Sequence, residues 1–266
     1  MKLVRWLTIT GIVLGGLLPL APQVIWSFSE QWFFPSLLPQ AWGLRAWGYL
    51  LSPSSRVVEA LLTSVAVAVV VVGLAAMLGL PAARVLGLYE FRGKRIVEWL
   101  VLAPVLVPGL VVVMGIHIYF IRYGLADTFA GVVLAHLAPA LPYFILVMAG
   151  VFANYATELE ETARTLGAGP LRTFWHVTLP AILPGLVVAA MFTFLVSWSQ
   201  YITTVLIGGG AIVTLPMVLF PLVSAANHAN AAAVSIVFIA PTILVLFLTA
   251  RALGNRVDLL GGLGRI

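Results

Sequence analysis

Residues 177–250 read VTLPAILPGLVVAAMFTFLVSWSQYITTVLIGGGAIVTLPMVLFPLVSAANHANAAAVSIVFIAPTILVLFLTA, without a single Asp, Glu, Lys or Arg. A helix needs about 20 apolar residues to cross about 30 Å of hydrocarbon. The run is too long for one crossing, so it must fold back. Gly208-Gly209-Gly210 and the polar run Ser224 to Asn230 mark the break. The reading is one helix over 180–207 and another over 231–250. Leu215 to Leu222, between them, is apolar but too short to span and is read as an interfacial or re-entrant piece.

Four further charge-free runs precede this one: 6–26, 60–83, 100–121 and 128–155. They are continuously apolar rather than alternating, which argues for helices and against the strands of a membrane barrel. Composition agrees. Hydrophobic residues make up 62% of the 266, against roughly 45–50% in an average soluble protein, and charged residues only 9%, against about 25%. Mean hydropathy is +1.12. So little charge cannot cover the surface of a soluble particle of this size. The expectation is an all-α polytopic membrane protein with six transmembrane helices in a single domain over 1–266. The absence of cysteine removes disulfides, thiol nucleophiles and Cys-ligated zinc.

Lys and Arg set the orientation, because they resist translocation. Six spans put both termini on one side. Lys2, Arg5, Arg84, Arg92, Lys94, Arg95, Arg164, Arg172, Arg251, Arg256 and Arg265 then share that side, and only Arg45, Arg56 and Arg122 lie opposite. Eleven against three places both termini in the cytoplasm. The net charge of +5 is thus topogenic, and nucleic acid is not needed as a partner. Lys2 and Arg5 before an apolar run imitate a signal peptide, but no small-residue cleavage site with a polar flank follows. Residues 29–57, rich in aromatics and proline, form the longest outer segment.

The inner loop between the fourth and fifth spans is the informative part. Residues 154–180 read NYATELEETARTLGAGPLRTFWHVTLP. Thr157 and Glu160 have the spacing of a capping box, and Glu158, Glu160 and Glu161 crowd the first turn, where the helix dipole favours anions. Arg164 follows Glu160 at i+4. Gly167 is placed to end the helix in the left-handed conformation, and Pro170 to open a second short helix. A helix lying on lipid would carry more Lys and Arg than Glu. An acidic first turn followed by small residues, with Leu159, Ala163, Leu166, Phe174 and Trp175 exposed, suits a protein partner better.

Glu161-Thr162-Ala163, three residues, Gly167, nine residues, then Val177-Thr178-Leu179-Pro180 resembles the signature loop of bacterial ABC-importer permeases. That signature is Glu-Ala-Ala, three residues, Gly, nine residues, Ile, any residue, Leu-Pro. Thr162 for Ala and Val177 for Ile are the departures. The resemblance covers roughly 55–255. Ser197-Trp198-Ser199-Gln200-Tyr201 and the glycines after it are similar to the subgroup carrying polyamines, ferric iron, thiamine or phosphonates. The resemblance implies a type I importer permease fold and a coupling helix in the loop 157–179, docked on a cytoplasmic ABC ATPase dimer. Glu161, Thr162 and Ala163 would lie in that helix, Gly167 would make its turn, and Val177, Leu179 and Pro180 would anchor it. It further implies a second permease subunit, with a heterodimer favoured over a homodimer, and an extracytoplasmic solute-binding protein. The place would be the bacterial inner membrane.

The chain has no Gly-x-x-x-x-Gly-Lys-Ser/Thr loop, so it is expected to bind no cofactor and to leave ATP and Mg to a partner. Polar groups at membrane depth are the remaining functional candidates. His117 and His136 have no neighbouring carboxylates, which makes a poor metal site and a poor proton relay. Gln200 is costly in hydrocarbon unless it faces a partner or a water-filled path. Trp198, Gln200, Tyr201 and His117 are therefore the candidate solute pathway, with Trp198 and Tyr201 at i, i+3 on one face. Proline pairs, Pro104 with Pro108 and Pro139 with Pro142, are expected to kink the third and fourth spans. The alternative function is an ATP-independent secondary carrier or channel, which would need coupling residues that the spans lack.

Overall fold

The computed structural model describes residues 6–8, 10, 11, 15, 16, 18–33 and 35–261, with the side chains of 254–261 left aside. The expected first span, 6–26, therefore lies partly outside the described residues. Of it, a 3-10 turn at Leu18–Leu20 and helix α1, Ala21–Ser27, are seen. The chain forms two compact units: Met1–Thr63 with Val213–Thr242, and Ser64–Ile212 with Ile243–Ile266.

The first unit holds α1 and a small antiparallel pair, β1 (Ser29–Gln31) with β2 (Ala41–Trp42). Helix α2 (Arg45–Leu51) and a 3-10 turn (Pro53–Ser55) follow. The segment 29–57, expected from sequence as an outer one, thus holds a strand pair and a helix. Arg56, at φ +54, turns the chain into α3, Val57–Leu88, whose first residues belong to this unit. After residue 213 the unit adds α11 (Leu215–Ser224), too short to span, and the start of α12 (His228–Gly261).

The second unit is built around α6, Phe129–Ala153. Of its apolar window 56% is buried, against 22–28% for the other long apolar helices, so α6 is the helix the others cover. Phe144, Met148 and Phe152 are fully buried on it. Close approach depends on small residues, as expected where helices gain nothing from water exclusion. A Cβ on Gly87 of α3 would strike the Ala149 carbonyl and Phe152, and one on Gly185 of α9 (Leu179–Trp198) would strike Val151. Thr128 caps α6 by accepting a hydrogen bond from the Gly131 N–H at 3.0 Å. Pro139 and Pro142 sit inside α6, which continues through both.

Two spans differ from the sequence reading. The third is not one helix over 100–121. It is α4 (Lys94–Leu106) and α5 (Gly109–Arg122), bent by 96°. Val107 takes an extended conformation because it precedes Pro108, which caps α5. The fifth is not one helix over 180–207. α9 stops at Trp198, and α10 (Ile202–Gly208) follows a three-residue break. The Gln200 carbonyl freed by the break accepts the Thr204 hydroxyl at 3.0 Å, so the interruption leaves no orphan there. Gly209 and Gly210, at φ +51 and +83, then reverse the chain as the glycine run predicts. The sixth helix runs well past the expected 231–250. Among the described residues, four helices are long and apolar enough to cross a membrane, or five with the bent pair counted as one span.

Candidate functional site

The loop after α6 folds as two helices and a π-helical turn. α7 is Glu158–Thr165, α8 is Pro170–Thr173, and the π turn is Phe174–Thr178, running into α9. Gly167 between them has φ +87, a conformation that a side chain strains. Thr162 turns its hydroxyl onto the Glu158 carbonyl, 2.8 Å away, and Glu161 is exposed. Ala163 is half-buried. Leu159, Leu166 and Trp175 are exposed at 53%, 82% and 57%, a large apolar surface for a segment otherwise so polar. Phe174 is half-buried. Val177 lies half-buried in the π turn, and Leu179 and Pro180 open α9.

The underside of α7 holds what the sequence reading missed. Glu160 is only 5% exposed. Its carboxylate does not complete a capping box with Thr157, whose side chain makes no cap. It accepts a bidentate pair from the Arg84 guanidinium of α3, Nη1 at 2.8 Å and Nη2 at 2.7 Å. The Thr178 hydroxyl donates to the same carboxylate at 2.7 Å. Arg164, the expected i+4 partner, stands further off at 3.7 Å. The paired Arg84 holds the Glu160 carboxyl down to about 2, with help from Thr178 and against the cost of burial. One carboxylate thus ties α3, α7 and the π turn together at the end of the second unit. It brings the end of the second span and the loop 157–179 to one face.

Most of the polar groups expected at membrane depth lie around the break in the fifth helix. His136 is buried, its Nδ1 3.0 Å from the Ser197 hydroxyl and its Nε2 2.9 Å from that of Thr204. It joins α6, α9 and α10 as a fully bonded packing residue. Trp198 is 3% exposed and stacks on Phe194 at 5.6 Å. Gln200 accepts the Thr203 hydroxyl at 2.6 Å. Tyr201 precedes α10, so Trp198 and Tyr201 do not share the face of one helix. His117 is half-buried on α5. The residues Trp198, Gln200 and Tyr201 cluster at the break itself. Among the described residues, no group of His, Asp and Glu is placed to hold a metal.

A family described as binding-protein-dependent transport system inner membrane component matches residues 75–259. The molybdenum transport permease ModB of Mycobacterium bovis is 32% identical over 191 residues, 66% of this chain and 72% of that one. PhnV of Salmonella paratyphi A, provisionally named a 2-aminoethylphosphonate transport system permease, is 30% identical over 238 residues, 86% of each chain. NgcG of Streptomyces coelicolor, a diacetylchitobiose uptake system permease, is 30% identical over 171 residues, 64% of this chain, which spans only 56% of NgcG. Among solved structures, a bacterial ABC transporter for alginate import superposes with a TM-score of 0.72 at 19% identity, covering 94% of this chain and 95% of that one. The MetNI methionine transporter, inward facing, gives 0.58 at 19% identity, covering 76% and 97%. These likenesses show the all-α permease fold of type I ABC importers. On the family match and the ModB and PhnV identities, this chain belongs to the inner membrane components of binding-protein-dependent transport systems.

Proposed function

We propose that the chain is the solute-conducting permease subunit of an ATP-driven importer and that α7 docks on a cytoplasmic ABC ATPase dimer. The supporting observation is the build of the loop: Leu159, Leu166 and Trp175 stand exposed, while Glu160 fixes the loop's underside to α3 through Arg84. A helix anchored by a buried ion pair moves as a body with the span that holds it. Glu161, Thr162 and Ala163 belong to the docking helix, Gly167 to its turn, and Val177, Leu179 and Pro180 to its root. Both termini lie in the cytoplasm, by the distribution of Lys and Arg. A second, different permease completes the pathway, and an extracytoplasmic binding protein delivers the solute. This chain holds no cofactor; ATP and Mg bind the ATPase. The broken fifth helix, with Trp198, Gln200 and Tyr201, and His117 on α5 line the path. Relatives named for molybdenum and 2-aminoethylphosphonate transport favour a small polar solute.

The test is uptake by proteoliposomes holding the co-expressed permeases, ATPase and binding protein. Leu159→Asp with Leu166→Asp is expected to release the ATPase and abolish uptake while the permease still inserts. ATP-independent flux through the purified chain alone would overturn the proposal in favour of a secondary carrier or channel.

A further inference from the structure

The first unit contains a cleft of about 300 Å³ that no part of the coupling loop explains. That volume is at the small end of ligand sites. It is lined from four elements: Trp26 of α1, Ser29 and Glu30 of β1, Arg45 and Ala46 of α2, and His228 and Asn230 at the start of α12. Trp32, just after β1, completes one wall. Its ring centroid lies 4.4 Å from that of Trp26, and the His228 ring centroid lies 5.0 Å from that of Trp26. The Trp32 indole N–H donates to the Ser36 carbonyl at 2.9 Å, which fixes that ring.

Three polar groups are left without work by the fold. Asn230 is 8% exposed, and no partner of its side-chain amide is found among the described residues. That amide is not sealed in the core: it opens on the cleft, where it is available to a ligand. Glu30 and Arg45 stand on the exposed rim and make no ion pair there, with each other or with any described residue. The wall therefore presents the Trp32 indole, whose π system attracts cations, beside a free carboxylate and a free guanidinium.

From this geometry we infer that the cleft is a binding site for a small zwitterion, whose ammonium end meets Glu30 and the Trp32 indole and whose anionic end meets Arg45 and the Asn230 amide. A ligand of one sign only is attracted by one rim group and repelled by the other. By the proposed orientation the cleft lies on the extracytoplasmic side, where an arriving solute would meet it first. It rests on the permease reading for that location alone.

The purified full chain in lipid nanodiscs, without ATPase, is titrated with 2-aminoethylphosphonate, ethanolamine, methylphosphonate and molybdate. Tryptophan fluorescence is the readout. Saturable quenching by the zwitterion is expected, with ethanolamine and methylphosphonate each weaker by about tenfold or more. Glu30→Gln and Arg45→Gln, both on the exposed rim, each weaken zwitterion binding by about tenfold, and Trp32→Phe reduces the quench. Absence of saturable quenching, equal binding of either half-molecule or of molybdate, or unchanged affinity in the two rim variants would overturn the site. None of these outcomes depends on ATPase docking, so failure here and failure of the permease reading are separable.

Discussion

At the scale of single residues, Glu160 carries more than its position in an acidic helix suggests. A carboxyl held from the ordinary 4.5 down to about 2 contributes about 3 kcal/mol to the folded state. Because the folded value is depressed, that contribution is complete above the unfolded value and disappears as pH falls through about 2. Stability is therefore expected to be flat in this respect from about pH 5 to 8 and to fall below about pH 4. Glu160→Gln should remove most of this pH dependence, and thermal denaturation of the reconstituted chain across pH checks it. Arg84→Glu should cut uptake by about tenfold or more while insertion persists, and Arg84→Glu with Glu160→Arg should restore part of it, since the pair and not either charge alone holds the loop. His136 offers the opposite case. His136→Phe keeps volume but removes the bonds to Ser197 and Thr204, at about 1 kcal/mol for each, although Thr204 keeps its bond to the Gln200 carbonyl, and should lower the melting temperature without altering solute preference.

At the scale of elements, the loop after α6 was legible because its cues are local. Glu158 to Thr165 carries its own dipole complement, Gly167 its own turn, and Pro170 its own start. The Arg84–Glu160 bond was not legible, because its partners are 76 residues apart and each has a plausible local role. Arg84 reads as a topogenic charge and Glu160 as a capping residue. The break between α4 and α5 was invisible for another reason: proline in an apolar run marks a kink and a full break alike, and only packing chooses. Trp198 and Tyr201 were expected to share one helical face, which the stop at Trp198 removes. Gly167→Val tests the turn itself. A β-branched residue at φ +87 costs about 1–3 kcal/mol locally. The buried Glu160 anchor remains, so stimulation of the ATPase should fall more than the yield of folded permease, measured on the same preparations.

At the scale of the whole molecule, the sequence establishes a membrane chain and the family match an importer component. Complex mass is the natural measurement. Native mass spectrometry of the co-expressed assembly should find one copy of this chain with one different permease and two ATPases; two copies of this chain would replace the heterodimer by a homodimer. The π turn at Phe174–Thr178 has its own consequence for such a chain. A π turn holds one residue more than the α turn it replaces. Losing any one residue there would regularise the backbone into ordinary helix, a change that sequence comparison would score as trivial. The wide turn absorbs its extra residue within a single circuit, so the helix on either side would keep nearly the same facing, whereas a residue lost from the regular part of α9 would swing the loop by about 100°. The spare residue therefore acts as slack: the backbone can shed one position there without turning the loop away from what it faces.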